Sequence, residues 1–107
     1  MRMHERQALD RIAANLRERF ADRILALYAF GSRVRGGHDA WSDFDLLVVI
    51  RNKDARVEAE IVGMIVDVEF KAGLSFTPVV KDAQAFDMEK EFHTPFYQNI
   101  TREGVLL

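Results

Sequence analysis

Two short segments of the chain are continuously apolar, and they constrain the fold more than any other feature. They are Ile24–Phe30 and Leu46–Ile50, and Gly31-Ser32 and Arg51–Asp54 end them. Short apolar runs of this length are typical of strands that are covered on both faces. The sequence therefore predicts a sheet that lies between helices, and we expect its second strand to begin at Asp43.

Helical periodicity accounts for two longer segments. In residues 4–21 and again in residues 55–72, apolar side chains recur at the spacing of one helix face. Residues 61–70 also contain β-branched side chains and would fit a strand. A strand there would leave only about ten residues for a parallel crossover, which is too few. We therefore expect a helix, which Gly73 ends in a left-handed conformation.

Three shorter elements complete the expected order. Leu74–Val80 is expected to be a strand, and Pro78 indicates either an edge position or a bulge. Asp82–Phe92 is expected to form a short helix, and Thr94-Pro95 begins a last helix that Gly104 ends. The predicted order is α, β, loop, β, α, β, α, α, which is an α/β (α+β) fold.

Composition is that of an ordinary globular protein. Of the 107 residues, 49% are apolar and 30% are charged, and we expect residues 1–107 to form a single domain. The absence of cysteine excludes disulfide frameworks and thiol chemistry and favours a cytoplasmic location. Since no apolar run approaches the roughly 20 residues that span a bilayer, we expect no membrane insertion.

The net charge of −2 conceals an asymmetry along the chain. Residues 1–37 carry eight arginines against four acids, whereas the remainder is net acidic. Arginine is a good helix former as well as a phosphate ligand, and this pattern is typical of a solvated helix face. We therefore do not expect nucleic acid as the partner. RNA binding through Arg11, Arg17 and Arg23 is the weakest of the functional hypotheses.

One motif that carries chemistry joins the two apolar strands. Gly31-Ser32 is followed after ten residues by Asp43-Phe-Asp45. Carboxylates at positions i and i+2 of a strand project from one face, about 6.6 Å apart along the backbone. Mg²⁺ takes one or two carboxylates together with phosphate oxygens and water, and glycine lets backbone amides approach an anion. The two strands must then run antiparallel, with the loop of residues 33–42 at the site.

Two segments of the chain resemble a known family signature. Phe30–Gly36 and Ser42–Leu46 are similar to the Gly-Ser, ten residues, Asp-x-Asp signature of the minimal nucleotidyltransferases (MNT) of the DNA polymerase β superfamily. Pro95–Gly104 is also similar to the segment that usually ends these proteins. The resemblance implies the nucleotidyltransferase fold, with a small three-stranded mixed sheet that is packed with helices.

The resemblance also assigns roles to individual residues. Asp43 and Asp45 are the implied catalytic residues and the ligands of Mg²⁺, and the substrate is an NTP, with ATP as the first choice. The implied nucleotide- and phosphate-binding residues are Gly31, Ser32, Arg33 and Arg35.

The chain departs from the family pattern at one catalytic position. Complete members carry a third carboxylate on the next core strand, where it helps to hold metal and deprotonates the attacking hydroxyl. This chain has Ser75 and Thr77 at those positions. Asp67 would replace it only if residues 61–70 formed a strand, and it remains the candidate for a third catalytic residue on that condition.

Two functions from different classes are consistent with the resemblance. The first is a Mg²⁺-dependent nucleotidyltransferase that moves NMP, with AMP as the first choice, from an NTP to a hydroxyl. Its implied partner is a small helical HEPN-domain protein. A tyrosine of that protein would be the acceptor, and this chain would act as its antitoxin. The second is a non-catalytic nucleotide-binding subunit that neutralises its partner by contact alone. The sequence leaves open whether the chain forms a homo-oligomer.

Overall fold

A computed structural model describes residues 1–31 and 44–107 of the chain. The helices of these residues are α1 (Met3–Phe20), α2 (Ala55–Ala72), α3 (Ala83–Glu91) and α4 (Pro95–Glu103), and the strands are β1 (Ile24–Phe30), β2 (Phe44–Ile50), β3 (Phe76–Asp82) and β4 (Val105–Leu106). A 3₁₀ turn over Ala21–Arg23 joins α1 to β1. None of these helices is long and apolar enough to cross a membrane.

The strands form one mixed sheet in the order β3-β2-β1-β4. β1 and β2 run antiparallel, and β2 and β3 run parallel through the α2 crossover, which confirms both predicted pairings. The expectation of three strands is wrong by one. β4 pairs with the free edge of β1 through Tyr28 with Leu106 and Ala29 with Val105. A strand of two residues is too short to show any periodicity in the sequence.

The side chains of β2 alternate between two apolar cores. Phe44 and Leu46 face the layer that contains α1 and α2. Leu47 faces the layer of α3 and α4, where it packs against Ile100. Every residue of β2 is buried except Asp45, which is half-buried. This burial on both faces is the physical reason for the continuous apolar run in the sequence.

Capping residues set the ends of the helices. Asp54 begins α2 by accepting a hydrogen bond from the backbone N–H of Val57 at 2.8 Å. Thr94 begins α4 by accepting one from the N–H of Tyr97 at 3.2 Å, with proline at the first helical position. Gly73 ends α2 with a φ of 67°, in the left-handed region. The helical interpretation of residues 61–70 is confirmed.

The third strand begins and ends two residues later than predicted. Leu74 still belongs to the end of α2, because its N–H donates to the carbonyl of Glu69 at 3.3 Å. The strand then continues to Asp82 because it pairs with β2 as far as Ile50. Pro78 lies in this edge strand, which is the first of the two alternatives predicted for it.

The free edge of β3 is protected against pairing with a further strand. The carbonyl of Ser75 accepts a hydrogen bond from the N–H of Phe44 and so points towards β2. Successive residues of a strand direct their backbone groups to opposite sides. The backbone groups of Phe76 and Pro78 therefore point away from β2, towards the free edge. The N–H of Phe76 is taken up by Oε2 of Glu69 at 2.8 Å, and proline has no N–H to offer.

Polar contacts hold the end of the sheet at which β2 turns towards α2. The Asp82 carboxylate accepts hydrogen bonds from the backbone N–H groups of Lys53 at 2.9 Å and Gln84 at 3.1 Å. The bond from Lys53 is the largest cause, and that from Gln84 the next, of a pKa of Asp82 below its ordinary value. The carboxylate thereby links the β2–α2 turn to the start of α3.

Asp82→Ala should lower the free energy of unfolding at pH 7, and the difference from the parent should shrink in acid. Because the pKa of Asp82 in the folded protein lies below its unfolded value, the carboxylate stabilises the fold above the unfolded pKa. That contribution is lost as the pH falls through the lowered pKa. Urea unfolding at pH 7 and at about pH 2 measures both differences. Asp87→Ala, at an exposed acid of α3, is the control. An Asp82→Ala difference that is equal at both pH values would contradict the prediction.

Candidate functional site

One corner of the sheet brings three strands together at the start of β2. Asp45 pairs with Phe30 across the antiparallel ladder and with Thr77 across the parallel one. Residues that are opposite one another in register project from the same face of a sheet. That face carries α3 and α4, since the odd-numbered neighbours Leu47 and Val79 pack in their layer. Phe30, Asp45 and Thr77 therefore form a row across three strands.

Gly31 follows β1 and packs directly against Asp45. A Cβ atom on Gly31 would overlap Oδ2 of Asp45 and would lie 3.2 Å from its Cγ. The φ of Gly31 is +97°, which other residues rarely adopt. Glycine is required here both for the backbone conformation and for the close approach. The structure thus brings together two of the residues that the sequence motif singles out.

The donor set at this corner suits a cation that a nucleotide also binds. The described residues contain no cluster of three or more His, Cys, Asp or Glu side chains that could hold a metal alone. Mg²⁺ needs only one or two carboxylates when phosphate and water complete its octahedron. Asp45 supplies a half-buried carboxylate, and Thr77 adds a neutral oxygen on the same face. The corner therefore fits one hard cation that it shares with a ligand.

The register distinguishes between the two positions proposed for a third acid. Thr77, and not Ser75, is the residue of β3 that lies opposite Asp45. Its hydroxyl can donate or accept a hydrogen bond, but at neutral pH it cannot take up a proton as a general base.

Asp67 does not reach this corner. It lies on α2, where its side chain is 61% exposed and pairs with Lys71 at 3.0 Å. α2 packs on the face of the sheet opposite to the one from which Asp45 projects. Because residues 61–70 form a helix, the condition for Asp67 as a third catalytic residue is not met, and that candidate is withdrawn.

Several predicted site residues lie outside the described part of the chain. They are Ser32, Arg33, Arg35 and Asp43, together with the loop expected over residues 33–42. Their assignment to phosphate and metal binding stays a prediction.

A residue that the sequence analysis did not single out also lies beside the corner. Phe96, in the first turn of α4, packs edge-on against Phe30, with ring centroids 6.0 Å apart and an interplanar angle of 89°. Thr94-Pro95 predicts where α4 begins along the chain. It contains no signal for where that helix lies on the sheet.

Comparisons with known proteins show the family of the chain. The family model described as nucleotidyltransferase domain matches residues 9–106. A candidate protein adenylyltransferase of Methanocaldococcus jannaschii is 26% identical over 106 residues, which are 98% of this chain and 99% of that protein.

Two solved structures are similar to this chain, and the first of them shares its fold. A chain from the crystal structure of a toxin–antitoxin with AMP-PNP has a TM-score of 0.58 and 16% identity, and the match covers 91% of this chain and 70% of that chain. A candidate nucleotidyltransferase from Sulfolobus solfataricus has a TM-score of 0.46 and 22% identity over 99% of this chain and 87% of that one.

Gly31→Ala should destabilise the fold by more than about 1 kcal/mol, because the left-handed φ is strained for alanine and the new methyl group displaces the Asp45 carboxylate. Gly63→Ala is a matched control inside α2, where nothing lies within 4 Å of the added Cβ. It should stabilise by about 0.5–1 kcal/mol, since alanine is the better helix former. Urea unfolding of both variants measures the contrast. A Gly31→Ala protein as stable as the parent would contradict the close approach at the corner.

Proposed function

Because the chain belongs to the nucleotidyltransferase domain family, we propose that it transfers AMP from ATP to a hydroxyl group of a partner protein. The observation that carries this proposal is the corner where Gly31 meets the carboxylate of Asp45. The family match spans residues 9–106 and includes that corner. The chain is a nucleotidyltransferase. The nucleotide, the metal and the acceptor are what we propose.

Gly31 and Asp45 divide the work of holding the nucleotide. Without a Cβ, the backbone at Gly31 can approach phosphate oxygens closely. Asp45 would hold Mg²⁺ together with Asp43, which stands two residues earlier on the chain. When bound, the cation would neutralise phosphate charge. The residues proposed to complete the phosphate contacts are Ser32, Arg33 and Arg35.

The transfer exchanges a phosphoanhydride bond for a phosphoester bond. The acceptor oxygen bonds to the α-phosphorus, the bond from that phosphorus to pyrophosphate breaks, and the hydroxyl proton is lost. The corner orients the α-phosphate for this attack, and orientation is a large part of catalysis in phosphoryl transfer. Since Thr77 is no general base, the proton passes to water, and we expect the reaction to be slow.

The proposed partner is a small helical HEPN-domain protein with a tyrosine as acceptor, and the chain would act as its antitoxin in the cytoplasm. The relative from Methanocaldococcus jannaschii, named as a candidate protein adenylyltransferase, supports a protein acceptor. The fold neighbour from a toxin–antitoxin with AMP-PNP supports an adenine nucleotide and a protein partner.

Thr77 also favours a second candidate function. If the missing third carboxylate abolishes turnover, the chain would bind nucleotide and neutralise its partner by contact alone. Calorimetric binding of ATP with Mg²⁺, without transfer to the partner, would favour this second function over the first.

Asp45→Asn should reduce transfer of label from α-labelled ATP to the partner by at least about 100-fold, because the site loses an anionic ligand. The melting temperature without Mg²⁺ should not fall, since the change removes one of two neighbouring carboxylates. Asp67→Asn makes the same change on an exposed helix flank and should leave transfer unaltered. Full transfer by Asp45→Asn, or an equal loss in Asp67→Asn, would reject the catalytic proposal.

Thr77→Asp should raise the transfer rate by about tenfold or more, because a carboxylate in register with Asp45 can take up the proton of the attacking hydroxyl. Without Mg²⁺ the added charge should lower the melting temperature through repulsion, and Mg²⁺ should restore it. Thr101→Asp, at an exposed position of α4, is the control for added charge. An unchanged or reduced rate in Thr77→Asp would show that a missing base does not limit the reaction.

A further inference from the structure

We propose that Lys81 and Phe96 are positioning residues for the corner formed by Gly31 and Asp45. The inference rests on the proposed function, because it concerns how that site is held in its working geometry. The side chains of both residues lie between the sheet and the layer of α3 and α4. Neither belongs to the sequence motif.

An ion pair fixes the ammonium of Lys81. Its Nζ lies 2.5 Å from Oε2 of Glu89 on α3, and the two side chains are only 28% and 19% exposed. Oε2 is buried and makes no hydrogen bond within the described residues, so the ammonium is its compensating charge. Oε1 accepts a hydrogen bond from Oγ1 of Thr94 at 3.2 Å. The carboxylate of Glu89 therefore links β3 to the residue that begins α4.

The same ammonium also contacts the aromatic ring of Phe96. Lys81 Nζ lies 4.7 Å from the centroid of that ring, which is within the range of cation–π attraction. The ring in turn packs edge-on against Phe30, an arrangement that aromatic pairs favour. The start of α4 is thereby held on the last residue of β1.

Phe30 connects these contacts to the site. It directly precedes Gly31 and pairs with Asp45 across the sheet. Gly31 leaves no space for even a methyl group beside the Asp45 carboxylate. In a close-packed arrangement of this kind, a shift of Phe30 has to move Gly31 or the Asp45 carboxylate. A displacement of about 1 Å can cost about 100-fold in rate, so Lys81 and Phe96 bear on turnover without touching the nucleotide.

A positioning role and a purely structural role predict different outcomes. A structural role predicts lower stability alone, with full turnover in the molecules that remain folded. A positioning role predicts a changed environment at Gly31 and a lower kcat in protein that is fully folded.

The test uses the full chain in two disruptive variants. Lys81→Met/Glu89→Gln removes the ion pair without leaving a buried charge unpaired, and Phe96→Leu keeps an apolar contact but removes the ring. Lys81→Arg and Phe96→Tyr are the conservative counterparts. Lys90→Met and Phe92→Leu are the matched controls, because they remove an exposed charge and a ring that is 69% exposed at the end of α3.

Two measurements are compared below the melting temperature of every variant. The backbone amide resonance of Gly31 should shift in both disruptive variants and should keep its parent position in the controls. With ATP, Mg²⁺ and the partner protein, kcat for label transfer should fall at least about tenfold, while KM for ATP changes by less than about threefold. The conservative variants should restore kcat to within about threefold of the parent.

An unshifted Gly31 resonance in both disruptive variants would overturn the inference, as would an equal loss of kcat in the controls. Failure of the proposed function is a separate result, seen as a parent protein that transfers no label. In that case the Gly31 resonance alone decides whether Lys81 and Phe96 hold the corner.

Discussion

Burial of β2 on both faces is the constraint on which the rest of the structure depends. The strand pairs with β1 on one side and β3 on the other, and Asp45 is its one residue that is not fully buried. A shift of register by a single residue would carry the carboxylate into the opposite core and expose an apolar side chain in its place. The apolar pattern that places β2 between two helical layers therefore also fixes Asp45 opposite Phe30 and Thr77.

The sequence predicts the elements whose ends and periodicity agree. α2 has both an N-cap at Asp54 and a left-handed stop at Gly73, and its observed bounds match the predicted ones. β4 has no such local signal. It forms because the end of the chain is fixed by distant groups: the N–H of Leu107 donates to the carbonyl of Leu27 at 2.9 Å, and Arg17 donates to the carbonyl of Leu107 at 2.8 Å. Contacts of this kind depend on the assembled sheet, which no short window of sequence contains.

The same distinction applies to the site. Gly31 and Asp45 were predictable as neighbours because both lie at the ends of strands that had to pair antiparallel. Asp67 was ambiguous in sequence, since its segment contains β-branched residues, and only the helix with its exposed ion pair excludes it. Phe96 was not predictable at all. Its place beside Phe30 depends on how α4 crosses the sheet, and that is decided by packing and not by local propensity.

The two ends of the sheet are stabilised in different ways, and the difference suits a binding site. At the far end, Asp82 binds backbone N–H groups, and the Arg23 guanidinium donates to the carbonyls of Arg51 and Asn52. Backbone N–H groups that are satisfied in this manner are not available to bind an anion. The proposed function would place phosphate at the corner of Gly31 and Asp45, so that corner would be held best by contacts that do not use its backbone N–H groups. Between α4 and the sheet, Phe96 packs edge-on against Phe30, and this contact supports the corner through side chains.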